Sequence, residues 1–336
     1  SHLEAGDERQ MRIAVIGAGR MGALRTEDLV KVGAEVTVFN RTLAGAKTLA
    51  DKFNPQHGEI SDIQKSKFDA YVVATATDSH IGLLDNLIPL GKPILCEKPI
   101  SLTVEDTDSV IEVCKKFGTQ IQVGFQRRFD PPINKAAKLI AGGQAGTLYA
   151  MHMYAHDHLP STLEFLEGSG SIYRDLHVHD FDLIRWITQS EISKVYATQA
   201  VREHKQYAKY DDADVSLISL TTASGVQVAI TGTRHNPVGH DVRLEIFGSK
   251  DSISVGLNRK TPIHDIDGQL NFADVRYKGF IERFREAFAA ETAAFHKFAE
   301  GKIANPCPPE SAREALRVAI ACEESIKTGG AVTIAH

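Results

Sequence analysis

Arg12-Ile-Ala-Val-Ile16, running directly into Gly17-Ala-Gly-Arg-Met-Gly22, decides how the first half of this chain folds. The first five residues are a short apolar run that reads as a buried strand, and a helical pattern follows the glycines through Val32. A G-x-G-x-x-G between a strand and a helix lets the backbone turn tightly and come close to a pyrophosphate. The phosphates then sit at a helix N-terminus, whose open amides and dipole favour negative charge. Gly17, Ala18, Gly19, Arg20, Met21 and Gly22 are therefore expected to hold a dinucleotide.

A second strand, Glu35 to Phe39, ends in Asn40-Arg41-Thr42, where an NAD enzyme often carries Asp or Glu for the adenosine ribose. Losing the carboxylate removes repulsion toward a 2′-phosphate, and an adjacent Arg41 can pair with one, which favours NADP over NAD. The alternative is that Asn40 bonds the ribose hydroxyls of NAD and Arg41 is a solvated turn residue. Further strands are expected at Phe68–Ala74, Pro93–Cys96 and Gln120–Phe125, with a helix from Thr103 to Phe117. Strands alternating with helices mean a doubly wound, mostly parallel sheet of Rossmann type, with ligands at the strand carboxyl ends. Thr75, Ala76, Thr77 and His80 follow one such end, and Glu97 and Lys98 another, which places them beside the cofactor. Lys98 also stands where a catalytic group belongs, although a surface lysine in a turn shaped by Pro99 is an equal reading.

From about Gly143 the pattern changes. Thr147–Ala155, Ser193–Val201, Asp214–Ala223, Val226–Arg234, Val242–Gly248 and Ser252–Gly256 alternate or are rich in β-branched residues. Few helices intervene, so an α+β domain with an open, mainly antiparallel sheet is expected. Two helical stretches close the chain, Tyr277–Gly301 and Ser311–Thr328, and are expected to pack back. The division expected is a leader or disordered tail at 1–10, a dinucleotide-binding domain at 11–130, and a substrate-binding and oligomerisation domain at 131–336. An open sheet leaves a face to cover, so a homo-oligomer, dimer or tetramer, is expected.

Between the two patterns lies Gly168-Ser-Gly-Ser-Ile-Tyr-Arg-Asp-Leu-His-Val-His-Asp-Phe-Asp-Leu-Ile-Arg-Trp-Ile187, which reads as a loop and then a helix. Positions four apart share a helix face, so Asp175 and His179 can reach one point in space. A carboxylate beside an imidazole orients it for proton transfer near neutrality. Taken alone, the pair also fits a capped helix whose His and Asp are merely buried and satisfied. His152, His156, His158, His177 and His179 raise the question of zinc, but neither His156/His158 nor His177/His179 has helical i,i+4 ligand spacing and no cysteine is near. No metal is expected, and His177 reads as structural.

Composition narrows the classes. Apolar residues at 43% and charged residues at 24% are those of an ordinary soluble globular protein. A net charge of −5 without a basic block gives nucleic acid nothing to bind. No apolar run approaches the ~18 residues of a membrane span, and no signal-peptide pattern is present. The four cysteines, Cys96, Cys114, Cys307 and Cys322, are scattered, which suits a reducing cytoplasm.

Together these residues resemble the glucose–fructose oxidoreductase / inositol dehydrogenase / MocA family of nicotinamide-dependent sugar and polyol dehydrogenases. The resemblance covers nearly all of Met11 to His336. It is carried by Gly17-Ala-Gly-Arg-Met-Gly22, Cys96-Glu-Lys-Pro99, Val123-Gly-Phe-Gln-Arg-Arg-Phe-Asp130, Ser169-Gly-Ser-Ile-Tyr-Arg-Asp175, His179-Asp-Phe-Asp182 and Phe280-Ile-Glu-Arg-Phe284. Arg127-Arg-Phe-Asp130 and Tyr173-Arg-Asp175 look most like the inositol dehydrogenase branch. The resemblance implies that Lys98, Asp175 and His179 are the active-site lysine, aspartate and histidine. It also implies that Gln126 contacts cofactor and that Arg127 and His156 contact substrate. Asn40 departs from the acidic ribose residue, and Thr75-Ala-Thr77 lacks the usual proline. The expected reaction is hydride transfer between a nicotinamide cofactor, NADP favoured, and a secondary alcohol of a cyclic polyol or sugar, an inositol first. Alternatives within the fold are a pyranose dehydrogenase, a phospho- or sulfo-sugar dehydrogenase with Arg127 or Arg128 on the anion, and a dihydrodiol or imine reductase. A protein that only senses NADP(H) has no need of Lys98, Asp175 and His179 together, and a metal hydrolase is the weakest alternative.

Overall fold

Burial on both faces explains the unbroken apolar run of β1 (Arg12–Ile16), in which Ile13, Ala14, Val15 and Ile16 have no exposed surface. The structure, a computed structural model, describes residues 9–65 and 67–336, so all of the expected leader except Arg9 and Gln10 lies outside the described residues. The chain divides into two units. The first comprises the chain through Ser101, then Glu105–Gly124 and Ala289–Pro309. The second comprises Leu102–Val104, Phe125–Phe288 and Glu310–His336.

In the first unit β1 is followed by α1 (Arg20–Lys31), β2 (Glu35–Asn40), α2 (Leu43–Phe53), β3 (Gln56–Glu59), β4 (Ala70–Val73), α3 (His80–Leu87), β5 (Ile94–Cys96), α4 (Val104–Phe117) and β6 (Ile121–Val123). The six strands are all parallel, in the order β3-β2-β1-β4-β5-β6. The order reverses direction beside β1, and a crevice for a dinucleotide opens at such a switch point. The doubly wound parallel sheet expected from the sequence is therefore present. The edge strand β3, polar and mostly exposed, gave no apolar signal to read. The segment from Ala289 contributes Phe295 and Phe298 to the same core as Val15, Val38 and Val72.

The second unit holds α5 (Pro131–Ala141), β7 (Leu148–His156), α6 (Leu163–Ser169), α7 (Val178–Thr188), β8 (Ile192–Ala200), β9 (Val215–Thr222), β10 (Gln227–Thr233), β11 (Asp241–Gly248), β12 (Ser252–Val255) and α8 (Phe280–Arg283). α9 (Arg285–Ala299) begins in it, and α10 (Pro309–Thr328) and β13 (Val332–Thr333) complete the chain. The sheet order is β12-β11-β7-β10-β9-β8-β13, antiparallel except for β7 beside β10. Because that pair is parallel, both strands finish at one edge, with His156 opposite Thr233. The antiparallel neighbours start at the same edge, β11 with Asp241 opposite His156 and β9 with Val215 opposite Thr233. Asp157, Asp212, Arg234 and His240, each just outside a strand, are thereby collected.

The stretch 168–187 departs from the regular helix expected. Tyr173–His177 is a π-helical turn, and only from Val178 does the backbone settle into α7. The Ser171 carbonyl accepts from both Arg174 N (3.0 Å) and Asp175 N (2.9 Å), while Asp212 Oδ1 takes Ile172 N at 2.8 Å. Such widened turns recur at functional sites. Among the described residues no helix is long and apolar enough to cross a membrane. Phe295 is fully buried, so Phe295→Ala should cost about 3–5 kcal/mol of stability, read as a lowered urea midpoint.

Candidate active site

In the first unit the glycines of the first turn leave space that a side chain would fill. A Cβ on Gly17 (φ +113°) would strike the Ala74 carbonyl, and one on Gly22 would strike the Gly17 carbonyl. α1 starts with no side-chain cap and no acid in its first turn, which leaves its amide end suited to a phosphate. These features fit a dinucleotide. Asn40 stands at the end of β2, its amide 3.3 Å from Thr42 Oγ1, in the turn where Thr42 caps α2. Arg41 is exposed beside it.

Thr75, Ala76 and Thr77 form the loop after β4, and Lys98 the loop after β5, half-buried. His80 ties the two loops. Its ring nitrogens lie 2.7 Å from the Pro99 carbonyl and 3.0 Å from the Thr75 carbonyl. Glu97, the residue before Lys98, is gripped by the Arg25 guanidinium of α1 at 2.6 and 3.2 Å. Arg25 is fully buried and also meets Glu291 at 2.5 Å and Thr292 Oγ1 at 3.0 Å. Burial opposes its charge, but Glu291 and Glu97 outweigh burial and hold the guanidinium above its ordinary value. Gly124 leaves room for the Glu97 carboxylate. Neither Arg25 nor Glu291 carries a motif, and the sequence reading missed both.

In the second unit Gln126, Arg127 and Arg128 are buried in a short turn after Phe125. Arg127 meets Asp180 at 3.0 Å, and Arg128 grips Asp182 at 2.8 and 2.7 Å. Asp180 also holds His177 at 2.8 Å, whose other nitrogen lies 2.7 Å from Ser216 Oγ. His177 is thus built into the support of Arg127. Burial lowers the Arg127 pKa, Asp180 opposing the shift. His156 Nδ1 lies 2.7 Å from Thr233 Oγ1, and burial pushes the ring below its ordinary pKa. His179, on the first turn of α7, is buried with its ring edge-on to Phe125 at 5.7 Å. Asp175, in the π turn, receives Arg234 Nη1 on Oδ2 at 2.7 Å. Arg234, Asp157, Asp212 and His240 went unread, because only the strand pairing brings them to one edge.

Glycines that a pyrophosphate-binding turn requires, followed by a sheet edge rich in histidine and carboxylate side chains, fit a nicotinamide-dependent oxidoreductase acting on CH–OH groups, and comparison with known proteins bears out that class. Residues 11–125 match the oxidoreductase family, NAD-binding Rossmann fold, and residues 133–254 match the GFO/IDH/MocA C-terminal domain. The chain belongs to the GFO/IDH/MocA family. It is 32% identical over 289 residues to an inositol 2-dehydrogenase of Rhizobium meliloti, covering 85% of this chain and 87% of that relative. A scyllo-inositol 2-dehydrogenase (NAD(+)) of Bacillus subtilis is 29% identical over 330 residues, 96% of each chain. The crystal structure of a myo-inositol dehydrogenase from Corynebacterium glutamicum superposes with a TM-score of 0.89 at 30% identity, over 98% of this chain and 100% of that one.

Burial, reinforced by Arg127 and Arg283, pushes His240 from 6.5 down to about 3. The unfolded state therefore binds more protons between those values. The stabilisation from keeping His240 neutral is fully present above pH 6.5 and is lost as pH falls toward 3. His240→Gln should make the fall in Tm across this window shallower in scanning calorimetry, and an unchanged slope would assign the acid sensitivity elsewhere.

Proposed function

We propose that the chain oxidises a secondary alcohol of a cyclic polyol, an inositol first, with NADP or NAD as acceptor. The observation that carries this reading is the pairing of the arginines in the second unit. Arg127, Arg128 and Arg234 each hold an aspartate, which suits a neutral, hydroxyl-rich ring and leaves Arg127 and Arg128 poorly placed to bind phosphate or sulfonate. The names of the inositol dehydrogenase relatives support the same class.

Bound at the Gly17–Gly22 turn, the nicotinamide cofactor supplies the hydride acceptor. His179 takes the hydroxyl proton, and Asp175 orients it and bonds a neighbouring hydroxyl. Lys98 stabilises the developing alkoxide. Lys98→Ala or His179→Ala should each lower turnover by about 100-fold or more while the circular dichroism spectrum stays native. Near-normal turnover in either variant would sink the assignment.

Two observations bear on the cofactor. Asn40 places no carboxylate at the ribose and Arg41 is exposed beside it, which supports NADP. The NAD(+) named for the Bacillus subtilis relative supports NAD. Fluorescence titration with NADPH and NADH separates them: tighter NADPH binding is expected from Asn40 and Arg41, and tighter NADH binding would remove them as the reader of the ribose. The sheet face bearing the exposed Tyr196 and Leu217 is assigned to self-association. Light scattering at micromolar concentration should give a multiple of the chain mass, and a monomer would end that assignment.

A further inference from the structure

Arg234 follows β10, and its side chain is 1% exposed. Its Nη1 donates to Asp175 Oδ2 at 2.7 Å and lies 3.9 Å from Asp157 Oδ2. Its Nη2 donates to Asp212 Oδ2 at 3.2 Å, and the guanidinium stands 5.7 Å from the Tyr207 ring centre. Burial works against the charge, but Asp175, Asp212 and Asp157 outweigh burial and hold the guanidinium above its ordinary value. Arg234 is therefore a cation at every working pH. Its backbone is held as well, Arg234 N donating to the Asp214 carbonyl at 2.8 Å.

Asp212 serves two purposes here. Its Oδ2 takes the guanidinium, and its Oδ1 takes Ile172 N at 2.8 Å, immediately before the π turn that carries Asp175. One buried carboxylate thus anchors both the guanidinium and the segment bearing the guanidinium's other partner. The guanidinium on its Oδ2 and the anchored backbone before it restrict the position of Asp175.

We propose that Arg234, anchored by Asp212, is a positioning residue for the reaction: it keeps Asp175 ionised and commits its Oδ2, so that Asp175 acts as a fixed acceptor rather than as a base. The proposal rests on the reading of Asp175 given above. The proton of the substrate hydroxyl then has His179 as its destination, because a carboxylate already held by a buried guanidinium is a poor proton acceptor.

A double-mutant cycle tests this on the full chain, with wild type, Arg234→Gln, Asp175→Asn and the pair assayed at saturating polyol and cofactor. The expected result is a kcat loss of about 10-fold or more in Arg234→Gln and little further loss when it is added to Asp175→Asn. NADH binding, followed by fluorescence, should be unchanged in both. Arg234→Lys, which keeps the charge, should recover part of the loss, and it replaces Arg234→Gln in the cycle if the glutamine variant does not fold. Fully additive losses would overturn the proposal, since a purely structural arginine acts independently of Asp175. If Asp175→Asn alone kept wild-type turnover, the reading of Asp175 itself would fall, which is a separate outcome.

Discussion

Parallel strands must end at the same edge of a sheet, and in both units of this chain that constraint gathers the polar groups. In the first unit every strand is parallel, so the loops after β1, β2, β4 and β5 emerge on one side with Gly17, Asn40, Thr75 and Lys98. In the second, one parallel pair suffices. β7 and β10 deliver Asp157 and Arg234 to one edge, and their antiparallel neighbours begin there with His240 and Asp212 just ahead of them. The apolar strand interiors form the scaffold, and the strand ends, free of ladder requirements, are where polar groups can converge.

Buried charge is the second theme. Arg25, Arg127, Arg128 and Arg234 are all nearly inaccessible, and each meets at least one carboxylate. Taking such ions out of water costs several kcal/mol apiece, and their mutual attraction does little more than offset that. Their value is better sought in geometry. Arg25 fixes Glu97 next to Lys98, and Arg127 is fixed by an aspartate that a buried histidine and serine hold in turn. A side chain that must be matched at several atoms has one place to go.

The turn that carries Asp175 follows the same logic. Ile172 N, at the N-terminal end of this helical stretch where any helix leaves its amides open, is taken by Asp212, so the backbone entering the π turn is tied to a neighbouring side chain. The i,i+4 spacing of Asp175 and His179 assumed a regular α-helix, whereas the backbone from Tyr173 to His177 is π-helical.

The sequence alone determined the parallel nucleotide-binding sheet, the change to a mainly antiparallel sheet near Gly143, and the placing of Gly17–Gly22, Lys98, Asp175 and His179 as chemically interesting. These rest on local signals: hydrophobic period, glycine spacing, and short runs whose residues act together because they are neighbours in the chain. Tertiary structure alone decided that Arg25 would meet Glu291, that Arg234 would take Asp175 and Asp212, and that His240 would be buried and neutral. Residues tens to hundreds of positions apart share no local pattern. Their electrostatic partners exist only once the strands have chosen their neighbours and the tail has contributed to the core of the first unit.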